Sequence, residues 1–296
     1  MMKRSNSLVL IFAWMVVLLV SDLPNVLFVK FLEVEPPWLP WAKIGVLLVA
    51  LVLCLLLEAI RPLWQFAVVF LVFSLANMGV DWVYYSDFWQ NRFYGETISY
   101  TASYISFQIL DVIRALLVIA ALWWVKRNRL DFYLAKGQLD APIEPVRWLG
   151  IGKGESWRVF GWIFTGCAAL AIVIPLALYV PLTAEAFSRA LPLLPVAILL
   201  AGLNAFAEEA YYRASMLSTL TDVLGKNQSL LLACVFFGLA HFLYGSPPGF
   251  IGFALTGFLA FLLGKSMLET KGMLWAWVMH FVPDVFIFFS YAMTWF

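Results

Sequence analysis

The fold class predicted by this 296-residue sequence is all-α, a polytopic transmembrane helical bundle of about eight to nine spans. Three observations carry that expectation. Hydrophobic residues make up 64% of the chain and charged residues 12%, where soluble domains run at roughly 45–50% apolar and about 25% charged. Apolar runs long enough to cross a bilayer recur along the whole length. Tryptophan and tyrosine gather at several of their ends (Trp38 and Trp41, Trp82 to Tyr85, Trp123 and Trp124), as an interfacial belt does. An integral membrane protein is implied, expected in the cell membrane with the lipid bilayer as its partner.

In chain order, the candidate spans lie near residues 7–32, 39–60, 64–84, 104–125, 159–182, 193–219, 229–244, 250–268 and 273–295. The first is interrupted at Asp22 and Pro24. Its basic start resembles a signal peptide, but no small-x-small cleavage signal follows, so a retained span is expected. The seventh is short and stops at Gly245-Ser246-Pro247-Pro248-Gly249, a strong helix breaker, which suggests a partial or tilted crossing. No internal repeat is visible, so an inverted-repeat transporter gains no support. Cys54, Cys167 and Cys234 sit in apolar runs at spacings that fit neither a disulfide framework nor a zinc finger, and read as core packing.

Residues 126–158 form the longest polar segment, with a turn-rich centre at Gly137-Gln138-Leu139-Asp140-Ala141-Pro142-Ile143-Glu144-Pro145. They divide N-terminal transmembrane helices (1–125) from a C-terminal membrane core (159–296). With the N-terminus in the cytosol, Lys30, Lys43, Arg92 and Arg189 fall outside and Arg114 and Arg213 within spans. The other thirteen of the 19 basic residues, Lys3 and Arg4 among them, then fall inside. That asymmetry predicts a cytosolic N-terminus and a cytosolic 126–158 segment, which Arg147 and Trp148 would pack onto the membrane surface. The net charge of +1 argues against a nucleic-acid partner, which requires a basic surface.

Ionisable groups at membrane depth are expensive and mark function by default. Both histidines of the chain, His241 and His280, lie in apolar runs, as do Glu208, Glu209, Arg213 and Asp284. At about 1.5 Å of rise per residue, Glu208 sits roughly 16 Å above the inner end of its span. His241 sits at roughly 18 Å, His280 at roughly 10 Å and Asp284 at roughly 16 Å. Three helices thus bring polar groups to overlapping depths. Glu209 and Arg213, four apart, form a same-face ion pair in the favourable order, while Glu208 points about 100° away and stays free of it. His280 and Asp284 also share a face, with Pro283 between them removing an amide donor and freeing a carbonyl. Asn204, one turn before Glu208, is placed to hydrogen-bond it. Asp111 and Arg114 read as a structural ion pair, and Asp81 and Glu58 as span-end charges.

These residues fall into three ordered motifs: Glu208-Glu209-Ala-Tyr-Tyr-Arg213 as EExxxR, Phe237-Gly-Leu-Ala-His241 as FxxxH, and His280-Phe-Val-Pro-Asp284 as Hxxx(N/D). Together, over residues 190–294, they resemble the CPBP family of CAAX-processing and bacteriocin-processing membrane endopeptidases, also called the Abi family. The resemblance implies hydrolysis of a peptide bond in a membrane-embedded or membrane-anchored substrate. It implies that Glu208 and His241 activate the attacking water, that His280 and the residue at 284 hold the oxyanion, and that no cofactor is needed. Characterised members often carry asparagine where this chain has Asp284. An ionised aspartate cannot donate to an oxyanion, so Asp284 is expected instead to orient and charge His280.

Two other readings stay open at this point. Glu208, His241 and His280 could instead hold zinc as a membrane metalloprotease, though the HExxH helix is absent. The same groups could form the relay of a non-enzymatic proton-coupled carrier or membrane scaffold. Substrate identity and oligomeric state are not written in the sequence.

Overall fold

A backbone in hydrocarbon finds no water, so it closes its hydrogen bonds within helices. The computed structural model describes residues 7–295 apart from Glu96, Pro181, Ser246 and the side chain of Tyr179; Lys3 and Arg4 therefore lie outside the described residues. The N-terminal helices are α1 (Ser7–Val20), α2 (Leu23–Leu32), α3 (Leu39–Leu56), α4 (Trp64–Tyr84), α5 (Asp87–Phe93) and α6 (Tyr100–Lys126). The C-terminal ones are α7 (Trp157–Tyr179), α8 (Ala184–Ala190), α9 (Leu194–Glu208), α10 (Ser215–Leu224), α11 (Lys226–Ala240), α12 (Phe250–Thr270) and α13 (Leu274–Thr294). Among the described residues the only β-pairing is two isolated bridges, Pro142 with Ser156 and Val146 with Ile151.

Among the described residues seven helical stretches are long and apolar enough to cross a membrane, and the α1–α2 pair, bent by 53° beside Asp22, makes an eighth if it is counted as one span. The protein is thus a polytopic helical bundle at the lower end of the expected span number. The segment expected near 229–244 is α11, which has only 15 residues and ends at Ala240. Its rise of about 22 Å falls short of the roughly 30 Å hydrocarbon core. Conversely, the span expected over 193–219 belongs to one apolar stretch running from Ala184 to Leu224.

Alanine, leucine and phenylalanine fill the interhelical space. One buried cluster runs continuously from Val17, Leu47, Phe70 and Val118 in the N-terminal helices to Leu217, Phe237 and Ala276 in the C-terminal ones. Helices α6 and α9 form the main seam between these groups, with α4 against α10. A second cluster, including Tyr100, Leu200 and Phe288, closes the end opposite the 127–156 segment. Helix α7 packs on α13 and otherwise turns Trp162, Ile163, Ile174 and Leu178 outward.

The polar 127–156 segment is folded back as a strap over the α12–α13 turn. Gln138 N donates to Thr270 O (2.7 Å) and Met273 N to Ala135 O (2.9 Å). Backbone meets backbone so closely that a Cβ on Gly272 would stand 2.3 Å from Gly137 N. Gly137 also holds φ +77°, a left-handed conformation that costs glycine little. Charge secures the strap as well. Glu269 pairs with Lys265 and accepts the Trp157 indole N–H at 2.8 Å. Lys226 reaches Glu144 at 2.8 Å, and that hydrogen bond holds the Glu144 carboxyl below its usual range. Trp148 stays 69% exposed, its inner edge against Phe258 and Phe261 of α12.

Because Lys265 and Glu269 are both nearly buried (9% and 6% exposed), deleting one strands the other. Glu269→Ala is expected to destabilise the protein by about 3 kcal/mol, and Glu269→Gln by less, because the amide still accepts the Trp157 N–H. Denaturant unfolding in detergent micelles, followed by tryptophan fluorescence, measures both.

Candidate active site

Two glutamates in succession cannot share one face of a regular helix, and the local backbone uses that fact. Helix α9 ends at Glu208, residues Glu209–Ala214 run as a π-helical turn, and α10 resumes at Ser215. π-turns carry an extra residue and are frequent at functional sites. Here the turn directs Glu209 into the protein, where its side chain is fully buried, and leaves Glu208 18% exposed. Helix α6 braces this irregular turn. Tyr211 donates its hydroxyl to Asp111 Oδ1 at 3.2 Å, and Arg114 lies 3.5 Å from the same oxygen and 5.3 Å from the Tyr211 ring centre. The Asp111–Arg114 ion pair expected from their spacing is present, extended by a tyrosine that spacing alone did not reveal.

His280 of α13 is the meeting point. Its Nδ1 lies 2.8 Å from Glu209 Oε1, while its Nε2 lies 3.6 Å from Glu208 Oε2 and 3.7 Å from Asp284 Oδ2. Glu209 therefore makes the hydrogen bond that orients the ring, not Asp284 as expected. The i and i+4 relation brings Asp284 near, but beyond hydrogen-bond reach. Asn204 also differs from its expected pairing. Its Nδ2 donates to Asp284 Oδ2 at 2.9 Å rather than to Glu208, tying α9 to α13.

Arg213 takes its expected place beside Glu209 at 3.4 Å, both side chains fully buried. Its guanidinium also lies 3.8 Å from the centre of the Phe237 ring, a cation–π contact. Phe237 touches both imidazoles, at 4.4 Å from the His241 ring centre and 6.4 Å from that of His280. In sequence this phenylalanine appears only as the first letter of FxxxH. The structure makes it the wall between a buried cation and two histidines.

His241 occupies the C-terminal cap of α11, at the break that precedes α12. Its Nδ1 lies 2.9 Å from Phe237 O. A carbonyl only accepts, so Nδ1 carries the hydrogen and the neutral ring keeps a lone pair on Nε2. The break is tightly packed around this residue. A Cβ on Gly252 would stand 2.2 Å from Pro247 O and 3.0 Å from His241 O.

Four carboxylate or imidazole groups thus come together from α9, the π-turn and α13, with His241 adjoining them across Phe237. Among the described residues no three His, Cys, Asp or Glu side chains are grouped to hold a metal ion, and the Glu208, His241 and His280 set of the zinc alternative is not among such groups.

Residues 190–286 match the family model described as type II CAAX prenyl endopeptidase Rce1-like. This segment, about a third of the chain, is similar to that family. The match covers all three motifs and agrees with the CPBP resemblance read from them. No curated protein and no solved structure matches the chain. At family level the match supports an intramembrane endopeptidase of the CAAX-processing kind.

Substituting Gly252→Ala forces the His241 carbonyl or the 247 peptide to move, without touching a charged group. Peptide cleavage is expected to fall about tenfold or more, since small misplacements of catalytic groups cost on that scale. Glycine-to-alanine at Gly79, where nothing lies within 4 Å of the added carbon, serves as the silent control in the same assay.

Proposed function

We propose that the Rce1-like domain cleaves a peptide bond of a membrane-anchored substrate with water activated by Glu208 and His241, and with His280 stabilising the oxyanion. The observation that carries this reading is the division of labour between the paired glutamates. Glu209 is consumed by Arg213 and His280, both within 3.4 Å. Glu208 keeps partial exposure and no hydrogen-bonded partner among the described residues. A carboxylate left in that state at membrane depth is available to take a proton.

The steps follow from the donors and acceptors present. Glu208, aided by the free Nε2 of His241, accepts a proton from water as it attacks the scissile carbonyl. Negative charge develops on the carbonyl oxygen. His280 donates Nδ1–H to Glu209 and, when the ring carries both protons, Nε2–H to that oxygen. The nearby carboxylates of Glu208 and Asp284 balance the imidazolium charge. Donors fixed in advance in a water-poor site stabilise an oxyanion strongly. Asp284, held by the Asn204 amide, serves as electrostatic support for His280 and not as an oxyanion donor, consistent with its acceptor chemistry. The departing amine takes its proton from Glu208.

The reading is metal-free, with the N-terminus and the strap in the cytosol and the protein in the cell membrane, as the lysine and arginine asymmetry supports. In proteoliposomes with a prenylated peptide bearing a CAAX end, Glu208→Gln is expected to lower turnover by about 10²–10⁴-fold. Wild-type turnover in that variant would remove Glu208 from the mechanism. Activity that chelator abolishes and zinc restores would establish the metalloprotease alternative in its place.

A further inference from the structure

Spans α6, α10 and α12 all end on the side of the strap, and between their ends lies a polar cavity of about 440 Å³. That volume falls within the roughly 300–1,000 Å³ of small-ligand sites. Lys126, the last residue of α6, and Lys271, which follows α12, line it together with Asp131 of the strap and Asp222 of the last turn of α10. Among the described residues none of these four charged side chains makes an ion pair or a side-chain hydrogen bond. Two cations and two anions thus face one space without neutralising each other. Elsewhere at this end of the molecule, opposite charges find one another, as Lys226 does with Glu144 and Arg158 with Asp140.

The remaining wall indicates where an occupant comes from. Leu130 lines the cavity and is 56% exposed, and the neighbouring Trp123 and Trp124 of α6 are 51% and 56% exposed. Exposed tryptophans beside the polar end of a span sit at headgroup level. The cavity therefore opens at the height where a phospholipid carries its charges, with apolar surface directly on the membrane side. Burial pushes the Tyr133 phenol, also in the lining, up to about 12, so it meets the cavity as a neutral hydroxyl.

We propose that this cavity binds the zwitterionic headgroup of an aminophospholipid, its phosphodiester between Lys126 and Lys271 and its primary ammonium between Asp131 and Asp222. The juxtaposition of both charge signs distinguishes this ligand. An anionic lipid such as phosphatidylglycerol would leave two carboxylates facing its phosphate. A choline headgroup offers no N–H to them. The site is separate from Glu208 and His280, and binding does not depend on the proteolytic reading.

The test uses the purified full-length chain in detergent, titrated separately with phosphatidylethanolamine, phosphatidylcholine, phosphatidylglycerol and soluble glycerophosphoethanolamine, with binding read by native mass spectrometry. Phosphatidylethanolamine is expected to bind about tenfold more tightly than either other lipid, the scale of one charge-assisted hydrogen bond. Asp222→Asn should erase its advantage over phosphatidylcholine, and Lys271→Gln should weaken all three lipids. Both residues are exposed, and thermal unfolding of the same preparations reports on folding. Binding of glycerophosphoethanolamine as tight as that of the diacyl lipid supports the headgroup chemistry with a soluble source; a response to the lipid alone supports the membrane as source. Phosphatidylglycerol binding as well as phosphatidylethanolamine, or selectivity unchanged in Asp222→Asn, overturns the proposal.

Discussion

A carboxylate sealed away from water must find its counter-charges in the protein, and the Glu209 side chain, fully buried, finds two: Arg213 and His280. Much of the C-terminal half depends on that requirement. Glu209 reaches both partners because the backbone winds as a π-turn between α9 and α10. The turn persists because Tyr211 and Arg114 both meet Asp111 of α6. One buried charge thus couples the N-terminal helices, the irregular turn and α13 into a single arrangement. Removing a member would leave the others unpaired at a cost of several kcal/mol.

The membrane class and most spans were legible because hydropathy integrates over about twenty residues and tolerates local error. That these residues would lie together was legible for a related reason: Glu208, Glu209, Arg213, His241, His280 and Asp284 are polar residues where polarity is costly. Their pairing was less so. Helical spacing assigned Asp284 to His280 and Asn204 to Glu208, because both inferences assumed unbroken 3.6-residue periodicity within single helices. The contacts that orient His280 instead cross between helices, from Glu209, while Asn204 reaches across to Asp284. A one-residue change of winding is invisible to periodicity, and it is what turns Glu209 inward. Phe237 shows the same limit, since an aromatic ring in an apolar run gives no sign that it will lie between an arginine and two histidines.

The strap shows how a polar segment with turn chemistry becomes a fixed part of a membrane protein. Its hold rests on close backbone approach at Gly137 and Gly272 and on the Lys265–Glu269 pair that receives Trp157. These contacts brace the turn between α12 and α13, the helix that presents His280 and Asp284. The end of the bundle facing the strap is therefore held by backbone and charge contacts at the base of α13. Helix α7, by contrast, packs mainly on α13 and offers most of its surface outward.

Helix α11 stops at Ala240 and hands His241 to a loop. A segment rising about 22 Å in a hydrocarbon layer of roughly 30 Å leaves a deficit of about 8 Å over that part of the molecule. Most of this helix is sheathed by protein, and where it meets lipid, at the exposed Leu231, the acyl chains would shorten, tilt or give way to water, at a cost that grows with every ångström of mismatch. The hydration that a hydrolytic reaction consumes would then be drawn in by the missing turns of one helix, and acyl-chain length in the surrounding leaflet would govern how readily it arrives.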